Sequence, residues 1–362
     1  MDNVNSDIRI SSTLSSNFYS SKKKFKEVID KIFAKSWHLI TDDTHFDEEN
    51  YVYPFILMDN VLPEPLFLIK NKNGIECFSN VCTHRGNILV KSPGKIHKTI
   101  NCNYHGRSFD TNGEFLFMPC TEGMENFPSN KDDLPKISTK KWNQFIFTSL
   151  EPKFIFEDLI VDVDARVGWM PIKDFVFRKD LSNEYLINAN WTLYCDNYLE
   201  GFHIPFIHKD LNEVLNYEEY SVECFKYSNL QIGYAKDKDL CFDLPKSSID
   251  YGKNIAAYYF WLFPNIMLNF YPWGLSVNLI KPLSNGKTKV NFYSYVWKEE
   301  LLDKGAGADV NKVEMEDQEV VTSVQMGVSS RLYKSGRFSP NMEQGVHQFH
   351  TIIKDFIYEN DK

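Results

Sequence analysis

A cysteine–histidine pair occurs twice in this chain, as Cys82-Thr83-His84-Arg85-Gly86 and as Cys102-Asn103-Tyr104-His105-Gly106. The spacing is C-x-H in the first box and C-x-x-H in the second. Two thiolates and two imidazoles can hold a [2Fe–2S] cluster in which histidines replace two cysteines on one iron. Neutral imidazole removes negative charge and raises the potential above that of an all-cysteine cluster. The same donors can bind a structural zinc, although zinc sites usually open with a C-x-x-C knuckle. A glycine follows each histidine, Gly86 and Gly106, as expected where tight loops bring backbone amides close to cluster sulfurs.

The boxes resemble those of the Rieske family. Respiratory Rieske proteins carry an extra cysteine in each box and join the two as a disulfide. Here those places hold Asn87 and Tyr104, so the boxes are similar to those of soluble Rieske ferredoxins and Rieske non-haem iron oxygenases. Many oxygenases place Trp after the second His-Gly, where this chain has Arg107, a position that is not a ligand.

At 362 residues the chain is too long for a lone ferredoxin and suits two domains. A net charge of −9 argues against a nucleic-acid surface. No window approaches the ~20 apolar residues of a membrane helix, and the polar start of the chain does not read as a signal peptide. Seven cysteines is an odd number. Those outside the boxes, including Cys77 and Cys120, are expected to be reduced, in keeping with a cytoplasmic protein.

Helical periodicity covers Lys22–Trp37 through Phe25, Val28, Ile29, Ile32 and Phe33. From Tyr51 to about Glu151 short β-like runs alternate with turns such as Asn73-Gly74 and Asn112-Gly113. The expected runs are Pro65–Lys70, Glu76–Asn80, Thr99–Cys102, Glu114–Met118 and Gln144–Ser149. Further on, a helix is expected over Trp191–Phe206. Strands are expected at Ile255–Phe263, Ile266–Tyr271, Leu275–Pro282 and Lys289–Trp297, and helices around Val310–Gly327 and Met342–Tyr358. Gly305-Ala306-Gly307-Ala308 lacks the third glycine and the preceding strand of a dinucleotide loop and reads as plain loop. With no nicotinamide or flavin site visible, electrons must come from another protein.

A second metal site is suggested by Asp196-Asn197-Tyr198-Leu199-Glu200-Gly201-Phe202-His203-Ile204-Pro205-Phe206-Ile207-His208. On a regular helix His203 and His208 would point about 140° apart, but Pro205 between them should break the helix and let His208 swing back. Two histidines and a carboxylate form the facial triad of oxygen-activating Fe(II) enzymes. In the later helix, of Glu314, Glu316, Asp317 and Glu319 only Asp317 falls in line with Val313, Val320, Val321 and Val324. An acid in an apolar stripe is costly unless paired or metal-bound, so a buried salt bridge is the competing reading. His347 and His350 on the last helix are the rival histidine pair, read as structural because no well-placed acid accompanies them.

Asp196–His208 resembles the mononuclear-iron motif of Rieske oxygenase α subunits, and the resemblance extends over essentially the whole chain. It implies an α+β fold: an N-terminal all-β Rieske domain, then a catalytic domain whose antiparallel sheet is covered by helices in helix-grip fashion. The expected boundaries are 1–37 for a helical arm packing on the oxygenase assembly, 38–152 for the Rieske domain and 153–362 for the catalytic domain. By the same resemblance Cys82, His84, Cys102 and His105 hold the [2Fe–2S] cluster. His203, His208 and Asp317 hold mononuclear Fe(II), and Asn197 lies near the iron. Glu200 is the acid that carries electrons from the cluster of one subunit to the iron of its neighbour.

Glu followed by Gly and an aromatic is nearer to members acting on choline, carnitine or betaine-like amines than to ring hydroxylases, many of which have Asp there. The implied activity is that of a terminal oxygenase using O₂ to hydroxylate a small N-methylated or quaternary amine, leading to N-demethylation or C–N cleavage. Its implied partners are a separate NAD(P)H-dependent reductase, acting directly or through a ferredoxin, and two further copies in a homotrimer. An aromatic-ring-hydroxylating oxygenase is the runner-up, and a Rieske electron carrier with a vestigial second site is a different class. Trp261, Phe263, Tyr271 and Trp273 are candidates to line the substrate pocket, by cation–π contact or as a slot for a flat ring, or simply belong to the core of a large sheet.

Overall fold

The structure is a computed structural model and describes residues 4–308 and 310–358. It divides into two compact units, Ala34–Lys153 and a second that combines the chain up to Phe33 with the chain from Phe154 onwards. No helix among the described residues is long and apolar enough to cross a membrane. None of the seven cysteines forms a disulfide.

Ahead of the first unit come helices α1 (Ser16–Ser20) and α2 (Lys22–Lys31). The periodicity that suggested helix as far as Trp37 ends earlier in α-geometry, followed by a 3₁₀ turn at Phe33–Lys35. The first unit is all β: β1 (His38–Asp42), β2 (Tyr51–Met58), β3 (Leu62–Asn71), β4 (Gly74–Ser79), β5 (Gly94–Lys95), β6 (Ile100–Asn101), β7 (Ser108–Phe109), β8 (Phe115–Phe117), β9 (Lys136–Trp142) and β10 (Phe145–Ser149). Seven of these form one sheet, in the order β1-β10-β9-β4-β3-β2-β5, and β6-β7-β8 form a second. Val52, Phe67, Ile69, Phe78, Ile100 and Phe109 make its core, against which Cys82 and Cys102 are buried.

The second unit continues with α3 (Glu157–Val167), β11 (Val176–Ile187), α4 (Trp191–Tyr198), α5 (Ile204–Ile207), α6 (Lys209–Val214), β12 (Ser221–Cys224), β13 (Ser228–Tyr234), β14 (Ile255–Leu262), β15 (Ile266–Tyr271), β16 (Gly274–Ser284), β17 (Lys287–Val296), α7 (Val310–Val328) and α8 (Gln344–Tyr358). The antiparallel sheet runs β11-β17-β16-β15-β14-β13-β12. Its central strands are buried on both faces and so read as near-continuous apolar runs rather than alternating ones. Trp261 packs on Phe349 of α8, with ring centroids 5.1 Å apart, and Phe263 on Phe356, at 4.7 Å. The N-terminal arm packs on this same unit, where Lys31 Nζ donates to the carbonyl of Ile357, 2.6 Å.

Candidate active site

The two cysteine–histidine boxes are one turn built twice. Cys82 N donates to Asn87 O and Gly86 N to Cys82 O; Cys102 N donates to Arg107 O and Gly106 N to Cys102 O. Gly86 and Gly106 sit at φ +74° and +73°, a region open to glycine and costly for other residues. The turns bring the rings of His84 and His105 to 4.7 Å between centroids. His105 Nδ1 is buried without a hydrogen-bond partner, which fits an atom reserved for a metal. Burial works to raise the Cys102 thiol, but the backbone N–H of Tyr104 and contacts from Cys82 and Asn87 outweigh it and leave its pKa below the ordinary value. The ligand form of cysteine is the thiolate. Arg107 is buried over the Phe115 ring, 4.7 Å away, and pairs with Asp132 at 2.7 Å.

The second site is assembled by α4, the segment after it and α7. Asn190 caps α4 by accepting from Thr192 N. The helix ends at Tyr198 rather than continuing to Phe206. Pro205 therefore breaks nothing and stands in the first turn of α5, a single-turn helix flanked by His203 and His208. That short helix sets the two imidazoles 5.0 Å apart. Gly201 makes room for it, since a Cβ there would lie 2.5 Å from the Tyr220 ring.

His203, His208 and Asp317 place one donor atom each within 4.8 Å of one another. Asp317 Oδ1 lies 3.0 Å from His208 Nε2 and 3.6 Å from His203 Nε2. Behind each ring stands another carboxylate, Glu200 at 2.8 Å from His203 Nδ1 and Glu316 at 2.7 Å from His208 Nδ1. A carboxylate behind a histidine keeps the proton on Nδ1 and turns the Nε2 lone pair towards a metal. Burial lowers the basicity of His208, but Asp317 and Glu316 outweigh it and the net shift is upward. Asn197 Nδ2 donates to Asp317 Oδ1, 2.9 Å.

Glu314 corrects the helix reading. It is the most buried acid of α7, at 3% exposure, whereas Val324 is 42% exposed. Burial pushes its carboxyl up to about 8. Tyr194 OH and Gln318 Nε2 both donate to it. Standing three residues before Asp317 and seven before Val321, it shares their face, so the periodicity did hold this signal. His350 corrects another expectation, because an acid does accompany it. Its Nε2 meets Asp196 Oδ1 at 2.8 Å and its Nδ1 accepts from Leu14 N at 3.1 Å, joining the arm, α4 and α8. His347 meets the carbonyl of Asn5.

The three donor residues open onto a cavity of about 100 Å³ walled by Tyr198, Tyr220, Tyr259, Tyr271 and Phe292. Of the four aromatic candidates only Tyr271 lines it. Trp261 and Phe263 share the face of Tyr259 but lie further along, where α8 roofs the sheet. Trp273 lines a neighbouring cavity of about 220 Å³ with Ser276 and Asn311. A cluster of aromatics in sequence does not tell the roofed part of a sheet face from the open part. Tyr220 reaches the wall from a loop with no local signal.

The family model for the ring hydroxylating alpha subunit (catalytic domain) matches residues 173–359, and that for the Rieske [2Fe-2S] domain matches residues 37–128. The chain belongs to the Rieske ring-hydroxylating oxygenase family. This Rieske oxygenase is 28% identical to the chloroplastic choline monooxygenase of Arabidopsis thaliana, over 94% of this chain and 82% of that one. It is also 28% identical to the carnitine monooxygenase oxygenase subunit of Escherichia coli (strain K12), over 94% and 92%. In fold it is similar to a quaternary ammonium Rieske monooxygenase crystallised with L-carnitine, with a TM-score of 0.75, 23% identity and 97% of both chains covered. Naphthalene 1,2-dioxygenase from Rhodococcus sp. gives a TM-score of 0.73 at 15% identity, covering 96% and 95%. The Rieske oxygenase is thus the α subunit of a multicomponent system, with a [2Fe–2S] cluster and a mononuclear iron as its cofactors. The expected architecture, an all-β Rieske domain with a helix-covered antiparallel catalytic sheet, is the one found.

Proposed function

We propose that this oxygenase acts on a small N-methylated or quaternary amine, hydroxylating a C–H bond in a monooxygenation that leads to N-demethylation or C–N cleavage. The observation that carries the reading is the convergence of His203, His208 and Asp317 on a small cavity walled by tyrosines. A cavity of roughly 150 Å³ suffices for benzene, so about 100 Å³ favours a compact ammonium head over a fused ring. Tyrosine faces attract such a cation through their quadrupoles. The choline and carnitine monooxygenases among its relatives support the same substrate class.

Cys82, His84, Cys102 and His105 are assigned to the cluster, and His203, His208 and Asp317 to the iron. When bound, the cluster supplies single electrons and the Fe(II) supplies O₂ activation. Around them the protein orients and insulates. Glu200 and Glu316 hold the protons of the two imidazoles on Nδ1. Asn197 fixes the rotamer of Asp317. The tyrosine wall keeps water from the reacting carbon. Glu200 is itself fixed by the backbone N–H of His203, 3.1 Å, and is assigned the bridge to His105 of the partner subunit in a homotrimer. The reductase is a separate NAD(P)H-dependent protein, acting directly or through a ferredoxin. The reading includes a cytoplasmic location.

The test is a single turnover of reduced, iron-loaded protein with O₂ and a pool of choline, betaines, carnitine and simple aromatics, read by mass spectrometry. A demethylated or cleaved amine is the expected product. A hydroxylated ring with the amines untouched would overturn the substrate class.

A further inference from the structure

The polarity of the cavity floor narrows the substrate further, an inference that rests on the amine reading. Asn269 pairs with Ser276, and Met267 with Asn278, across β15 and β16, so the two asparagines are diagonal neighbours on one face. They are 4% and 5% exposed, and both line the cavity. Their oxygens are engaged, Asn269 Oδ1 by the Tyr198 hydroxyl at 2.7 Å and Asn278 Oδ1 by the Ser276 hydroxyl at 3.0 Å. Their amide nitrogens have no hydrogen-bond partner among the described residues. The other amides of the lining are spent: Gln231 Nε2 donates to Tyr198 O and its oxygen accepts from Tyr220, while Asn197 Nδ2 donates to Asp317. Two amide donors without a protein acceptor therefore line one small space, where a substrate oxygen can accept from them.

The charge of that space is decided as well. Apart from the two histidines assigned to iron, the ionisable acids and bases of the lining are the carboxyl groups of Glu200, Glu314 and Asp317 and the tyrosine hydroxyls, with no lysine or arginine. Neutral amide donors satisfy an uncharged oxygen in full. A substrate carboxylate placed beside these amides would be stripped of water and meet no lysine or arginine to pair with. We propose that Asn269 and Asn278 are specificity-determining residues. They hold a neutral hydroxyl or carbonyl oxygen of a quaternary ammonium compound, and the cavity rejects ammonium compounds whose far end is a carboxylate.

The experiment is isothermal titration of metal-loaded holoprotein, without O₂, by tetramethylammonium, choline, glycine betaine and L-carnitine. Choline is expected to bind at least about tenfold more tightly than either carboxylated compound. In Asn278→Leu, and in the milder Asn278→Ala, its advantage over tetramethylammonium should shrink about tenfold, the size of one hydrogen bond. Tetramethylammonium, which has no oxygen, should bind these variants as it binds the parent. Should neither variant fold, the parent series still decides. Carnitine or glycine betaine binding as tightly as choline overturns the inference and leaves the amine reading standing. Failure of all four to bind overturns the amine reading and the inference with it. A choline advantage undiminished in a folded variant removes Asn278 from the role.

Discussion

Replacing Glu316 by glutamine is expected to weaken Fe(II) binding without touching a proposed donor atom. Glu316 Oε2 lies 2.7 Å from Nδ1 of His208, whose Nε2 faces Asp317 Oδ1 at 3.0 Å. To ligate through Nε2 the ring must be neutral and keep its proton on Nδ1, which Glu316 accepts. A glutamine carbonyl accepts the same proton without the charge. A charge-assisted hydrogen bond contributes about 1.5–3 kcal/mol against about 1 for a neutral one. Since Glu316 is 31% exposed and screened by water, the loss should be about 1–1.4 kcal/mol, a five- to tenfold weaker Kd.

The sign with pH is also fixed. In the metal-free protein burial works against the His208 cation, but its two carboxylates prevail and its pKa is raised. Metal must displace that proton once the pH falls below it. The glutamine variant holds the proton less well, so its deficit should be largest near pH 8 and shrink towards pH 6. Anaerobic competition against a chelator at the two pH values measures this. An unchanged Kd at pH 8, or a deficit that grows in acid, would refute the reasoning.

Asp317→Ala should keep the visible absorbance of the cluster while losing stoichiometric Fe(II) and oxygenation; full activity would exclude Asp317 as a ligand. Asp250 has 0% side-chain exposure and accepts from Arg166, Lys253 and Tyr258. Burial works to raise its carboxyl pKa, but these partners outweigh it and hold it below the ordinary value. Its contribution is therefore present above about pH 3.9 and lost as pH falls through the folded value. Asp250→Asn should cost about 3 kcal/mol in urea unfolding at pH 7 and much less in acid; an equal cost at both would reject the ion-pair account. Gly201→Ala should drive the Tyr220 ring off its seat, costing about 1–3 kcal/mol and weakening ammonium binding, and unchanged titration of choline would contradict that placement.

The chemistry of this chain was legible wherever it is local. The two boxes hold their ligands within a few residues, and the turn glycines mark the geometry. Strand β15 appeared at the bounds expected, because a short apolar run closed by Pro-Trp-Gly leaves little choice. The 12-residue strand β11 leaves no signal in the sequence, since its polar, mostly exposed residues carry no apolar alternation. Within the site, Glu314 shares the stripe of Asp317, but a face defined by valine positions alone does not include it. The carboxylate behind His208 was hidden for a different reason. Glu316 stands behind that ring only because α7 crosses the loop after α4, over a hundred residues apart in sequence, whereas Glu200 lies three residues from His203. An even longer stretch of sequence separates His350 from Asp196, and only the fold brings them together.

The division of the molecule into a continuous unit and an interrupted one has a bearing on its synthesis. Residues 34–153 are contiguous, so every strand that supports the cluster loops is made before most of the catalytic unit. The catalytic unit draws on both ends of the chain, and Asp196 beside the iron loop is gripped by His350, which also receives Leu14. Helix α4 therefore waits for α8 to be made before its back is secured. One polypeptide thus matures in two instalments, with a scaffold for the electron store ready early and a scaffold for oxygen chemistry completed only once α8 has emerged.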